Sequence, residues 1–141
     1  NKMAQEDRLK KQIEELARVL GKAVARLINM DGGSVSDPIE SIAQQVKEEA
    51  DLDLKKLISV PTEELIKTIT SETNLKKDHL EIVADIFFEA GKYYNSQGQE
   101  EQGRELYRKA IILLQHMTVI DKTYNKDREK KIMEIGKLSL Q

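Results

Sequence analysis

Several residue types that would mark a function class are missing or scarce in this 141-residue chain. It contains no cysteine, which excludes disulfides, thiolate metal sites and a cysteine nucleophile and fits a reducing compartment. The longest apolar run, from Ala110 to Leu114, is far shorter than the roughly 20 residues needed to cross a bilayer. The first residues also lack the apolar segment of a secretory signal. We therefore expect a cytoplasmic protein that makes no contact with a membrane.

A surplus of positive charge is missing as well, because 23 Lys and Arg residues stand against 25 Asp and Glu residues. A chain with net charge −2 has little to neutralise the phosphates of DNA or RNA. The balance varies along the chain: residues 1–30 carry seven basic and four acidic side chains, residues 31–64 three and nine, and residues 121–141 six and four. The basic ends leave a nucleic-acid-associated regulator as the least favoured function, since acidic residues interleave them.

Helix-breaking and strand-forming residues are few: the chain has two prolines, seven glycines and 4% aromatic residues. Leu, Ile, Ala, Glu, Lys and Gln dominate instead, and these side chains lose little rotamer freedom in a helix. A chain of this length can bury one modest hydrophobic core without disulfides or a metal ion to stabilise it. The sequence therefore predicts an all-α protein, a compact bundle of about six helices forming a single domain over residues 1–141.

A long amphipathic helix is predicted over residues 5–30. Its apolar residues alternate in steps of four and three, as in a heptad seam: Leu9, Ile13, Leu16, Leu20, Ala23, Leu27 and Met30. The pattern favours a face packed inside the chain, and a dimer-forming coiled coil is the alternative. Gly32 and Gly33 are expected to end this helix.

Short acidic helices are predicted over residues 38–71. Asp37 is positioned to cap the first of them, and Pro38 suits the first helical position because its φ angle is fixed. Pro61 interrupts the pattern, and Thr62 is expected to cap the next helix. Asp51 and Asp53 lack the glycine and distal glutamate of a calcium loop and are interpreted as solvated charge.

A helical hairpin is predicted over residues 75–120, with its turn at Gly98, and a C-terminal capping helix over residues 125–139. Aromatic and small residues recur along the hairpin at fixed spacing: Phe87, Ala90, Gly91, Tyr94, Gly98, Gly103, Tyr107 and Ala110. The small residues stand where two backbones must come close. The second helix is expected to continue toward Ile120.

This pattern resembles one tetratricopeptide repeat (TPR), a helical hairpin of about 34 residues. The resemblance covers residues 84–117, and its departures are Ala90 for Leu, Gly103 for Ala and Gln115 for Pro. The overall layout is also similar to small bacterial all-helical proteins. If the family's binding face carries over, the partner-binding residues on the first helix of the hairpin are Asp85, Phe88, Lys92, Asn95 and Ser96.

Catalytic and metal-binding patterns are absent from the sequence. His79 and His116 are the only histidines, and neither has a second ligand at a spacing typical of a metal site. Nucleophile motifs built on serine are missing too. We therefore expect a protein that is not an enzyme and that needs no cofactor and no metal.

The sequence favours a non-enzymatic adaptor or scaffold that binds a protein or peptide partner through the TPR-like hairpin. The alternative is a self-associating structural protein, a homodimer joined by the N-terminal heptad helix. The two functions differ in whether the apolar stripe of the N-terminal helix is covered within one chain or by a second copy.

Overall fold

A computed structural model describes residues 2–30 and 38–140, and these residues form seven α-helices and one short 3-10 turn, Thr62–Glu64. The helices are α1 (Lys2–Ile28), α2 (Pro38–Ala50), α3 (Leu54–Ser59), α4 (Leu65–Glu72), α5 (Lys77–Ser96), α6 (Glu100–Asp121) and α7 (Lys126–Ser139). The all-α prediction is confirmed. The helices number seven rather than about six because the acidic middle divides into three. Within the described ranges, no helix is both long and apolar enough to span a bilayer.

One hydrophobic core connects all seven helices. Each helix contributes at least one side chain that is no more than 1% exposed: Leu20, Val46, Leu57, Leu65, Phe87, Leu114 and Ile135. α1 packs against α2 and α5, while α7 packs against α6. The hairpin of α5 and α6 therefore lies at the centre of the bundle, with the other helices arranged around it.

The heptad seam of α1 divides into two halves. Leu20, Ala23 and Leu27 are buried in the core, which confirms an intramolecular face for the second half of the helix. Leu9, in the first half, is 57% exposed. α2 runs antiparallel to α1 and is tied to it by Lys22, whose ammonium lies 3.1 Å from the Glu49 carboxylate.

The starts of the short helices partly follow the sequence. α2 begins at Pro38 as predicted, whereas the Asp37 cap and the Gly32–Gly33 stop lie outside the described residues. The Thr62 cap is wrong: the Thr62 hydroxyl donates to the Glu105 carboxylate of α6 and caps no helix. Asp53, interpreted from the sequence as solvated charge, has a structural role as well: its carboxylate caps α3 by accepting the N–H of Lys56 at 3.0 Å.

α5 and α6 form the predicted antiparallel hairpin, and Gly98 supplies its turn with a φ of 81°. The two backbones approach most closely at Gly91 and Gly103. A Cβ at Gly91 would stand 2.8 Å from the Tyr107 ring, and a Cβ at Gly103 would stand 2.7 Å from the Gly91 carbonyl oxygen. Real Cβ atoms do not approach so closely, so hydrogen is the only substituent that fits at either position.

α6 continues to Asp121, as the missing proline predicted, and ends at Lys122 in the left-handed conformation. The Asp121 carboxylate forms an ion pair with Lys77 at the start of α5 and accepts a hydrogen bond from Arg128 in α7 at 2.8 Å. Lys77 and Arg128 hold the pKa of Asp121 below its usual range. This carboxylate therefore joins the ends of three helices.

A buried lysine connects α6 to α3. The Lys109 side chain is 1% exposed, and its ammonium donates to the last carbonyls of α3, those of Leu57 (3.2 Å) and Ile58. These carbonyls lack partners within their own helix, and a cation at a helix C-terminus is favourable. Burial lowers the pKa of Lys109, while the nearby Glu105 carboxylate opposes that shift.

Gly103→Ala should destabilise the protein even though alanine favours helix by about 1 kcal/mol. The added methyl would collide with the Gly91 carbonyl, and such overpacking costs about 1–3 kcal/mol. Gly21→Ala in α1 is the matched control, because a Cβ there meets nothing within 4 Å and should stabilise the helix. Thermal unfolding followed by circular dichroism compares the two variants. Equal stability of both would contradict the close approach of α5 and α6.

Lys109→Met should destabilise the protein at pH 7 by about 1–3 kcal/mol, because two buried carbonyls lose their donor. The difference from wild type should grow as pH rises toward about 10.4, the pKa of an unfolded lysine. Between the lowered folded pKa and that value the unfolded chain binds more protons, so wild-type stability rises with pH. Urea unfolding at several pH values measures this difference. Lys67→Met, at an exposed position of α4, should show no such trend.

Candidate functional site

The five predicted partner-binding residues lie on α5, and we call them the α5 strip: Asp85, Phe88, Lys92, Asn95 and Ser96. At its first position, the Asp85 carboxylate accepts from the Lys131 ammonium of α7 at 2.6 Å. Both side chains are about one-third exposed. The ion pair with Lys131 holds α7 beside α5. Asp85 is therefore less available to a partner than its position on the predicted binding face indicated.

The centre of the strip combines an aromatic ring with a cation. The Phe88 ring is half-buried and lies 5.7 Å from the Tyr107 ring, centroid to centroid. The Lys92 ammonium stands 4.7 Å above the Phe88 ring and 2.8 Å from the Glu89 carboxylate. A cation over an aromatic face is an attractive arrangement. Lys92 is exposed, whereas the Glu89 side chain is only 13% exposed, so the ammonium and part of the ring are what a partner can reach.

The last two residues of the strip are satisfied within the hairpin. The Asn95 amide donates to the Tyr107 hydroxyl at 3.1 Å, and its side chain occupies the space that Gly103 leaves open. Desolvation raises the pKa of Tyr107, and the bond from Asn95 opposes that shift. The Ser96 hydroxyl donates to the Tyr93 carbonyl at 2.6 Å. Asn95 thus supports the hairpin, and Ser96 remains exposed at its edge.

α7 continues the surface that the strip begins. Lys131 contacts Asp85, and farther along both helices Leu138 and Asn95 line the same cleft of about 200 Å³. The contacts advance together along the two helices, so α7 runs parallel to α5. Arg104 and Glu100, at the start of α6, complete the lining of the cleft. The structure therefore brings Phe88, Lys92 and this cleft onto one face shared by α5 and α7.

A second cavity lies on another side of the hairpin, between α2, α3 and the start of α6, with a volume of about 280 Å³. Ile39, Ile58 and Leu106 supply apolar walls. Its charged groups already have partners: Lys55 pairs with Glu40 at 3.1 Å, and Glu105 accepts from Thr62 and Arg108. This cavity could not be predicted from the sequence, because its walls come from helices that are distant along the chain.

The two histidines have different surroundings. His79 is fully buried; its Nδ1 accepts the Lys76 N–H at 2.8 Å, and its Nε2 lies 2.9 Å from the Ile13 carbonyl oxygen. These bonds select the tautomer with hydrogen on Nε2 and join α5 to α1. His116 is half-buried on α6. Among the described residues, no group of three or more His, Asp or Glu side chains is placed to hold a metal ion.

Comparisons with protein-family models, with curated proteins and with solved structures find no match to this chain. The candidate site therefore rests on its own contacts. Those contacts single out the face shared by α5 and α7, where Phe88 and Lys92 are the accessible members of the α5 strip.

Proposed function

We propose that the chain is a non-enzymatic adaptor or scaffold module, which binds a protein or peptide partner over the α5 strip of a TPR-like hairpin. The observation that carries this proposal is the parallel placement of α5 and α7. In repeat proteins, corresponding helices of successive units lie side by side and form an extended binding face. α7 supplies the second helix of such a face here, held by the pair of Asp85 and Lys131.

The chemistry of the face fits a peptide with both apolar and charged residues. Phe88 offers part of an aromatic ring and Lys92 offers an exposed positive charge, which Glu89 holds in place from a less exposed position. Aromatic residues are enriched among those that dominate binding energy at interfaces. The cleft beside Asn95 and Leu138 provides a place for an apolar side chain of the partner.

The first test of this proposal is site-specific photocrosslinking. With p-benzoylphenylalanine in place of Lys92, we expect one partner to be captured from cells that express the protein naturally. The same group in place of Lys47, which is exposed on α2, should not capture that partner. Mass spectrometry of the crosslinked products identifies the partner, and equal capture at both positions would contradict binding at the strip.

Lys92→Glu should then weaken binding of the captured partner by about tenfold, equivalent to about 1.4 kcal/mol. The substitution reverses a charge on the exposed face and places it beside Glu89, while the helix itself should remain intact. Lys67→Glu makes the same charge change at an exposed position of α4 and should bind normally. Asn95→Ala is a poorer probe, because it removes the Tyr107 hydrogen bond within the hairpin.

Self-association is the second candidate function, and the exposed first half of α1 favours it. Leu9 is 57% exposed, although it lies on the seam that continues into the core. Residues 2–12 are exposed throughout, so this part of α1 lacks the covered apolar face that stabilises helices in proteins. A second copy of the helix would cover this stretch.

Leu9→Glu should convert a dimer of this kind to a monomer without unfolding it, as measured by light scattering. Ile28→Glu is the control, because Ile28 is 60% exposed on the same helix but off the seam. Leu20 cannot serve in this test, since it is fully buried and its substitution by glutamate would unfold the core. A monomeric wild-type protein at high concentration would rule out this function.

A further inference from the structure

A third cavity, of about 210 Å³, lies between α4, the start of α5 and the end of α6. We call it the α4–α5 cavity. Its walls are largely aliphatic, with Ile66 and Ile69 on α4 and Leu113 and Ile120 on α6. Part of Ile120 is open to solvent, at 44% exposure. The cavity is therefore a small apolar site that opens at the surface.

The polar lining of the α4–α5 cavity has one sign of charge. Its charged lining residues are Lys76 and Lys77, and no carboxylate is among them; His116 and two threonines complete the polar lining. This distinguishes it from the cavity beside α2 and α3, where Glu40 and Glu105 are part of the lining. An apolar cavity with a cationic edge is complementary to a ligand that joins an apolar body to a negative charge.

The protein's own acids leave part of this positive charge uncompensated. Asp121 pairs with both Lys77 and Arg128, so one negative charge is shared between two positive charges. Asp78, the next acid along α5, is exposed and does not line the cavity. Over the described part of the chain, Lys76 forms no ion pair with a carboxylate, and the His116 ring has no hydrogen-bond partner.

We propose that the α4–α5 cavity binds a short-chain aliphatic carboxylate, with its carbon chain between the isoleucine and leucine walls and its carboxylate at Lys76 and His116. The size favours a small ligand, because 210 Å³ lies below the roughly 300–1,000 Å³ of typical ligand pockets. A free phosphate has no apolar body and would leave the walls in contact with water. Binding here is independent of the α5 strip, which lies on the other half of α5.

Hexanoate is the probe for this proposal, and amide chemical shifts in ¹⁵N-labelled protein are the measurement. Hexanoate should bind with a dissociation constant in the millimolar range and shift the signals of Thr70, Thr73 and His116. Hexanol keeps the chain without the charge, and acetate keeps the charge without the chain. Both should bind at least about tenfold more weakly, because each loses one of the two contacts.

Two substitutions locate the site. Lys76→Gln removes the cation and should weaken hexanoate binding about fivefold, the scale of an exposed ion pair. Lys67→Gln, on α4 but outside the cavity, should have no effect. Ile120→Asp should abolish binding by placing a carboxylate at the opening. The proposal is overturned if hexanoate shifts none of the lining signals, if hexanol binds equally well, or if the two lysine substitutions have the same effect.

Discussion

The close approach of α5 and α6 at Gly91 and Gly103 is the constraint on which the rest of the structure depends. Because neither residue has a side chain, the two backbones come nearer than an alanine at either position would allow. Phe88, Tyr107 and Asn95 then fill the space around this contact. Every other helix is positioned, directly or through one neighbour, by what it binds on this hairpin.

Polar contacts fix where the outer helices attach. Apolar contacts hold two helices together but allow several relative positions. A buried polar group that loses its hydrogen bond is costly, so such a bond selects one position. Lys109 positions α3 by its carbonyls, His79 positions α1, and Asp121 with Arg128 positions α7. The Thr62 hydroxyl on Glu105 adds a fourth such contact, between the short turn and α6. These contacts explain why a bundle of short helices can have one packing.

Regular features of the fold could be predicted from the sequence because they depend on local spacing. The start of α2 at Pro38, the Gly98 turn and the extension of α6 to Asp121 follow from residue types at single positions. Long-range polar contacts could not be predicted in this way. Lys109 and Leu57 are 52 residues apart, and no spacing rule relates them.

The α5 strip shows the same limit at the candidate site. Helical spacing placed its five residues on one face, but it could not show that Asp85 is bound by α7 or that Asn95 turns toward Tyr107. One of the two hydrogen bonds of His79 was nearer to being predictable from the sequence. The histidine's position three residues after Lys76, at the start of a helix, is a local signal for the backbone bond that it accepts.

The helices around the central hairpin show how one helical hairpin can bury its apolar faces within a single small domain. A lone helical hairpin cannot bury its apolar faces, so repeat proteins stack several units. Here α1 covers α5 and α7 covers α6, and the short helices α2, α3 and α4 close the remaining sides. α1 and α7 therefore each cover one side of the hairpin as a single helix. Under the proposed function, the face shared by α5 and α7 would hold only a short segment of a peptide partner, with Phe88 and Lys92 at its centre.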